Sequence, residues 1–180
     1  MKYSGIGCIL FVLLLAEWGC RPNNPETNTK KSYPSHKYSF VDVPASGLSY
    51  LETDYVPVYS DIYFRDGTRR FKLTATLSIR NTSMVDSAYV LQATYYDSYG
   101  NILSEYLKSI LLLCPLESIE FVVEEDEQVG GAGANFIVKW GATRYSDQML
   151  IQSVMISTYG QQGMSFMSNS KIIESSHNKP

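Results

Sequence analysis

The chain predicts an all-β fold, a single immunoglobulin-like sandwich of about seven strands behind a targeting segment and a flexible tether. Three observations carry that expectation. Apolar residues in the body recur at period two, turn residues stand between most of the runs, and no segment holds a helical period of useful length. The best helical stretch, SEYLKSILLLCPLE, is stopped by Pro115, and its residues suit a strand as well.

The elements follow in order. MKYSGIGCILFVLLLAEWGC opens with Lys2, runs apolar from Ile6 to Ala16 and closes on Trp18-Gly19-Cys20. The run falls short of the ~20 apolar residues that a spanning helix requires, and fits the centre of a secretory signal. A cysteine after a small residue at its exit is similar to a bacterial lipobox, although Glu17 stands where that motif usually carries Leu. The likeness implies cleavage before Cys20 and lipidation, palmitate included, so that acylated Cys20 attaches the chain to a lipid bilayer. Residues 1–19 are thus a lipoprotein signal peptide. Residues 20–46, rich in Pro, Asn, Ser, Thr and Lys, are the lipidated cysteine and tether. Residues 47–173 are the sandwich and 174–180 a disordered tail.

Within the body, YVPVYSDIYF reads as an opening strand, with Pro57 confined to an edge or bend. Asp66-Gly67 signals a hairpin turn. KLTATLSIRNTS puts Leu73, Ala75, Leu77 and Ile79 on one face and ends at Asn81-Thr82-Ser83. YVLQATYYD and ILSEYLKSI flank the turn DSYGN; SIEFVVEE, NFIVKWGA and MLIQSVMISTYG supply the remaining strands. Tyr95 and Tyr96 point to opposite faces.

Composition narrows the function classes. Net charge is −3, which gives no basic excess for nucleic acid and no strong acidity for disorder. Of three cysteines, Cys8 leaves with the signal and Cys20 carries lipid, so Cys114 has no disulfide partner and reads as a buried small hydrophobe. Both histidines, His36 and His177, fall in the tether and the tail, which speaks against His-based nucleophilic catalysis and the common zinc sites. No catalytic residue, metal ligand set or cofactor is expected. Carboxylates for a glycosidase exist by type in Asp54, Asp61, Asp66, Asp97 and Glu105, with nothing to bring two together.

Two segments stand out as candidate ligand sites. The first is EEDEQVGGAGANF, residues 124–136, with Glu125, Asp126, Gly130, Gly131, Gly133 and Asn135. It lacks the Lys and Ser/Thr of a phosphate loop, leads into a strand where a dinucleotide loop needs a helix, and misses the twelfth-position glutamate of an EF-hand. Its plainest reading is a glycine-rich strand connection, with an irregular calcium site as the alternative. The second is the cluster Arg65, Arg69 and Arg70, with Lys72, which could meet a phosphate or lipid head group or simply charge an edge strand. The fourteen tyrosines offer material for a glycan or peptide groove.

YVPVYSDIY (55–63), LTATLSIRNTS (73–83), YYDSYGNIL (95–103) and EFVVEEDEQVGGAGANFIVKW (120–140) together resemble a bacterial lipoprotein family, domain-of-unknown-function family 3124. The resemblance spans roughly residues 48–160. It implies a lipidated envelope protein with one β-rich domain and implies no activity. NTS followed by YYD and a glycine is also similar to immunoglobulin-like modules of bacterial surface proteins. The expected function is therefore a membrane-anchored, non-catalytic binding or structural module, with an envelope protein as possible partner. Arg21 follows Cys20 where an inner-membrane retention aspartate could stand, which favours the outer membrane of a two-membrane cell.

Overall fold

A computed structural model of the chain describes residues 37–42, 47–124, 130–144, 149–159 and 161–177. The signal segment 1–19, Cys20, most of the tether, Glu125, Asp126 and residues 178–180 lie outside the described residues. No α-helix occurs among the described residues.

Thirteen strands are present among the described residues where about seven were expected: β1 (Ser39–Val41), β2 (Tyr50–Pro57), β3 (Asp61–Phe64), β4 (Asp66–Lys72), β5 (Thr74–Asn81), β6 (Ala88–Tyr96), β7 (Ile102–Glu105), β8 (Ile110–Leu113), β9 (Ser118–Val123), β10 (Asn135–Ala142), β11 (Met149–Tyr159), β12 (Gln162–Asn169) and β13 (Lys171–His177). They form two antiparallel sheets, β1-β8-β6-β10-β2-β13 with β7 beside β6, and β12-β11-β5-β9; β3 and β4 make a separate hairpin. The sheets pack face to face. Val90, Tyr95, Leu111, Phe136, Val138 and Trp140 of the first meet Ala75, Leu77, Ile79, Ile119, Ile151 and Met155 of the second. Burial of each larger side chain contributes roughly 1.5–3 kcal/mol, and no disulfide assists it among the described residues.

The four central strands pair as in an immunoglobulin domain, β5 with β9 in one sheet and β6 with β10 in the other. The outer strands are exchanged. β2 pairs with β10 and β11 pairs with β5, whereas the first strand of an immunoglobulin domain joins its second and the last joins its sixth. A bulge explains why β6 does not alternate cleanly. The register with β10 slips between Lys139 and Trp140, so Ala88 and Val90 point inward before the bulge and Ala93 and Tyr95 after it.

Four expectations need correcting. Ser39–Val41, read as tether, pair with Leu112 to Ile110 and extend the first sheet. Glu174 to His177, read as a frayed tail, pair with Thr53 to Tyr50 of β2. Both segments are polar enough to pass for spacer, and only the open edge of the neighbouring strand makes them strands. The hairpin turns at Arg65, which takes φ 61°, and Asp66 already belongs to β4. Cys114 is exposed, because it sits at the end of β8 beside the turn through Leu116 (φ 60°).

Candidate functional site

Three connections meet at one end of the sandwich: the β2–β3 link with the β3–β4 hairpin, the turn after β6, and the described part of the glycine loop before β10. Each is fixed by polar groups that the sequence scatters widely. Val58 N–H donates to the Ala134 carbonyl (2.9 Å). Gly131 N–H donates to Ser60 Oγ (2.7 Å), and Gly133 N–H donates to Ser98 Oγ (2.9 Å). The Ser98 hydroxyl in turn donates to the Gly130 carbonyl (2.8 Å), as does the Ser98 N–H (2.8 Å). An anion cradle needs loop amides turned to a ligand. Here the Gly131 and Gly133 amides are turned to serines of the neighbouring connections.

The glycines fit that packing. Gly131 adopts φ 85°, and a Cβ there would sit 2.6 Å from Ser98 Oγ. A Cβ on Gly130 would collide with the Tyr95 hydroxyl and come within 2.7 Å of the Ala134 Cβ. The Tyr95 hydroxyl is buried below the loop with no hydrogen-bond partner among the described residues. Burial raises its pKa, and nearby Ser60 and Gly130 offset part of that rise. Asn135 starts β10, between Pro57 and Tyr96.

The arginine cluster divides. Arg70 Nη1 donates to Asp61 Oδ1 at 2.6 Å, and Asp61 is only 2% exposed. Arg70 Nη2 also donates to the Tyr63 hydroxyl (3.0 Å), and its guanidinium lies 4.7 Å from the Tyr63 ring centre. Asp61 holds the Arg70 pKa above its ordinary value. Arg70 is therefore committed to neutralising a buried carboxylate. Arg65 and Arg69, by contrast, make no ion pair among the described residues; Arg65 lies over the Phe64 ring at 5.1 Å.

Between these parts runs a cleft of about 400 Å³, walled by Tyr63, Arg70, Asp97, Ser98, Tyr99 and the 130–133 backbone. The structure thus brings Arg70 to the glycine loop, joining two segments that the sequence left separate. Asp97 is turned to its own loop: Oδ1 accepts from the N–H groups of Tyr99 and Asn101, and Oδ2 from the Asn101 side chain, which lowers its pKa. A second, smaller cleft of about 260 Å³ lies between the hairpin and β12, with Ile62, Phe64, Phe71 and Met164 on its walls and Arg65 among its lining.

The sequence reading missed one cluster altogether. Tyr50, Glu52, Asp54 and Val56 alternate inward along β2, so two carboxylates face the core. Trp140 Nε1 donates to Glu52 Oε1 and to Asp54 Oδ2, both at 3.1 Å, and the Tyr50 hydroxyl donates to Glu52. Burial raises the Glu52 pKa first, and Asp54 raises it further against the lowering bonds from Tyr50 and Trp140. The Tyr50 ring also meets the Trp140 and His177 rings edge-on, at 5.3 and 5.1 Å. Extending the period-two pattern through LETDYV would have placed both carboxylates inside. Of the carboxylates named by type, Asp54 thus joins Glu52, Asp61 joins Arg70, Asp66 accepts from Thr68 at a turn, and Glu105 lies in β7 beside Thr94. No group of three or more His, Cys, Asp or Glu side chains is placed to hold a metal among the described residues.

Against known proteins, the family model described as "Protein of unknown function (DUF3124)" matches residues 51–173. No curated protein matches. Among solved structures, the chain is similar to the one titled "Crystal Structure of Thermotoga maritima 1070". The identity is 11% and the TM-score 0.39, over 67% of this chain and 92% of that one.

Proposed function

The chain belongs to the family of proteins of unknown function DUF3124, and from that premise we propose that it is a lipid-anchored protein of the bacterial cell envelope whose sandwich is a non-catalytic binding or structural module. The observation that carries the anchor is the sequence Ile6–Ala16 closing on Gly19-Cys20, which supplies an export signal and an acylation site in one stretch. Arg21 supports the outer membrane in a two-membrane cell. The non-catalytic reading is supported by the loop end, where Asp61, Asp97, Ser60 and Ser98 are engaged in holding loops together. The same end offers a docking surface to an envelope protein. An anion-binding reading has one supporting observation, that Arg65 and Arg69 make no ion pair among the described residues.

The test is labelled-palmitate incorporation and membrane fractionation of the full chain, with and without Cys20→Ala, in a bacterial host. Wild type should take up label and sediment with membranes, and the variant should do neither. An unlabelled wild-type chain would remove the anchor.

A further inference from the structure

We propose that the β3–β4 hairpin is a second, non-covalent membrane contact, docking the sandwich onto an anionic phospholipid surface through Arg65 and Arg69. The choice of a lipid surface rests on the anchored reading above, whereas the binding itself is testable without the anchor.

The hairpin pairs with neither sheet and, although Ile62 and Phe71 pack on the core, it is exposed along nearly all of β4. Residues 61–72 carry four cations, Arg65, Arg69, Arg70 and Lys72, against Asp61 and Asp66, within a chain of net charge −3. The two carboxylates are occupied, Asp61 by Arg70 and Asp66 by the N–H and hydroxyl of Thr68. Arg65 and Arg69 are thereby left without a carboxylate partner among the described residues, Arg65 lying only over the Phe64 ring. Arg65 also occupies the hairpin tip at φ 61°, a conformation better suited to Gly or Asn. Beside these cations Tyr63 is 56% exposed, and Phe64 and Phe71 wall the apolar cleft whose lining includes Arg65. Guanidinium groups next to amphipathic rings and an apolar hollow match the headgroup layer of a bilayer, where phosphates meet the first methylenes. A freely diffusing phosphate asks for none of the apolar part.

Reach is no obstacle. Sixteen residues, 21–36, separate Cys20 from Lys37 and can span at most about 54 Å. The longest strand, β11 with 11 residues, is only about 36 Å long.

The experiment uses the full chain carrying Cys20→Ala, which abolishes acylation, sedimented with vesicles of phosphatidylcholine alone or with one-third phosphatidylglycerol. The reading is the change in anionic-minus-neutral partition between variants that all keep residues 1–19, so the contribution of that segment is common to every arm. Arg65→Asn/Arg69→Gln keeps the turn, since Asn tolerates positive φ, and should lower the partition onto anionic vesicles roughly 30-fold. Lys108→Gln/Lys171→Gln removes the same charge elsewhere and should lower it much less. Equal losses in the two doubles would overturn the proposal, as would no preference for anionic vesicles. Release by millimolar inorganic phosphate or by a soluble acidic polysaccharide at matched ionic strength would overturn it too, by assigning the arginines to a soluble anion. The anchor is judged separately by palmitate labelling of wild type, so either idea can fail alone.

Discussion

Replacing Trp140 by Phe removes a single N–H that two buried carboxylates share, and leaves an aromatic ring in the core. A hydrogen bond to a charged group contributes about 1.5–3 kcal/mol, counted once here because one proton serves both oxygens. The smaller ring leaves a void of about 40 Å³, which at ~24 cal/mol per Å³ adds ~1 kcal/mol. The loss should therefore be about 2.5–4 kcal/mol where Glu52 is ionised. Burial raises the native Glu52 pKa, so the folded chain holds a proton that the unfolded chain releases near 4.5. Its contribution to stability is thus full below that value and is lost as pH rises through the raised native pKa. Losing the indole N–H raises the native pKa further, so the deficit of the variant grows with pH. Urea unfolding at pH 5 and pH 8 reads this directly, through the midpoint at constant m-value. The deficit of the variant should be larger at pH 8 than at pH 5, because a bond to a neutral acceptor contributes less than one to a charged acceptor. Glu52→Gln should abolish most of the difference. A deficit near 1 kcal/mol, equal at both pH values, would mean that only ring volume matters and would refute the argument.

The other predictions are simpler. Asn81→Ala should cost about 2–4 kcal/mol in a denaturant melt, since the buried amide donates toward the carbonyls of Asp86, Leu113 and Cys114 and accepts from Ser83 N–H. Gly131→Ala should cost about 1–3 kcal/mol through its positive φ and its approach to Ser98, while Gly100→Ala, with the same φ sign but open space, should cost less. Arg70→Met should destabilise by about 1–3 kcal/mol by stranding Asp61, and Asp61→Asn in that background should restore most of it. Failure of that rescue would free Arg70 for a ligand role. Maleimide should modify Cys114 in the folded chain within minutes, because the thiol is exposed.

Most of the sandwich was legible where one face is dry and the other wet. β5 and the Leu73 before it show this best, with Leu73, Ala75, Leu77 and Ile79 all at 1% exposure or less as the alternation required. Legibility failed where partners, not patterns, make a strand. β13 buries no side chain and exists through its pairing with β2, so ESSHNKP reads as a tail in isolation. Asp66-Gly67 marked the hairpin, but its tip falls one residue earlier, at Arg65, and the register shift leaves residues 67–69 outside the pairing of Tyr63 with Arg70 and Phe64 with Asp66. At the loop end, each residue type was visible, but the pairing of Gly131 with Ser60 and of Gly133 with Ser98 spans 71 and 35 positions, and no local rule reaches that far. The inward Glu52 and Asp54 were missed for the opposite reason, since charged residues are expected outside and the period alone contradicted it.

The neighbours of β2 carry a consequence for the order in which this chain can take shape. Both come from the far end of the sequence, β10 from residue 135 onward and β13 from residue 171. Until residue 135 exists, the first core strand has nothing to pair with, and until residue 177 exists its outer edge stays bare. A growing chain is thus held back from closing its core while it is incomplete, and contacts this distant in sequence form slowly. On the proposed export, the chain crosses the membrane before β2 can find β10 and β13, so closing of the core follows the passage and does not block it.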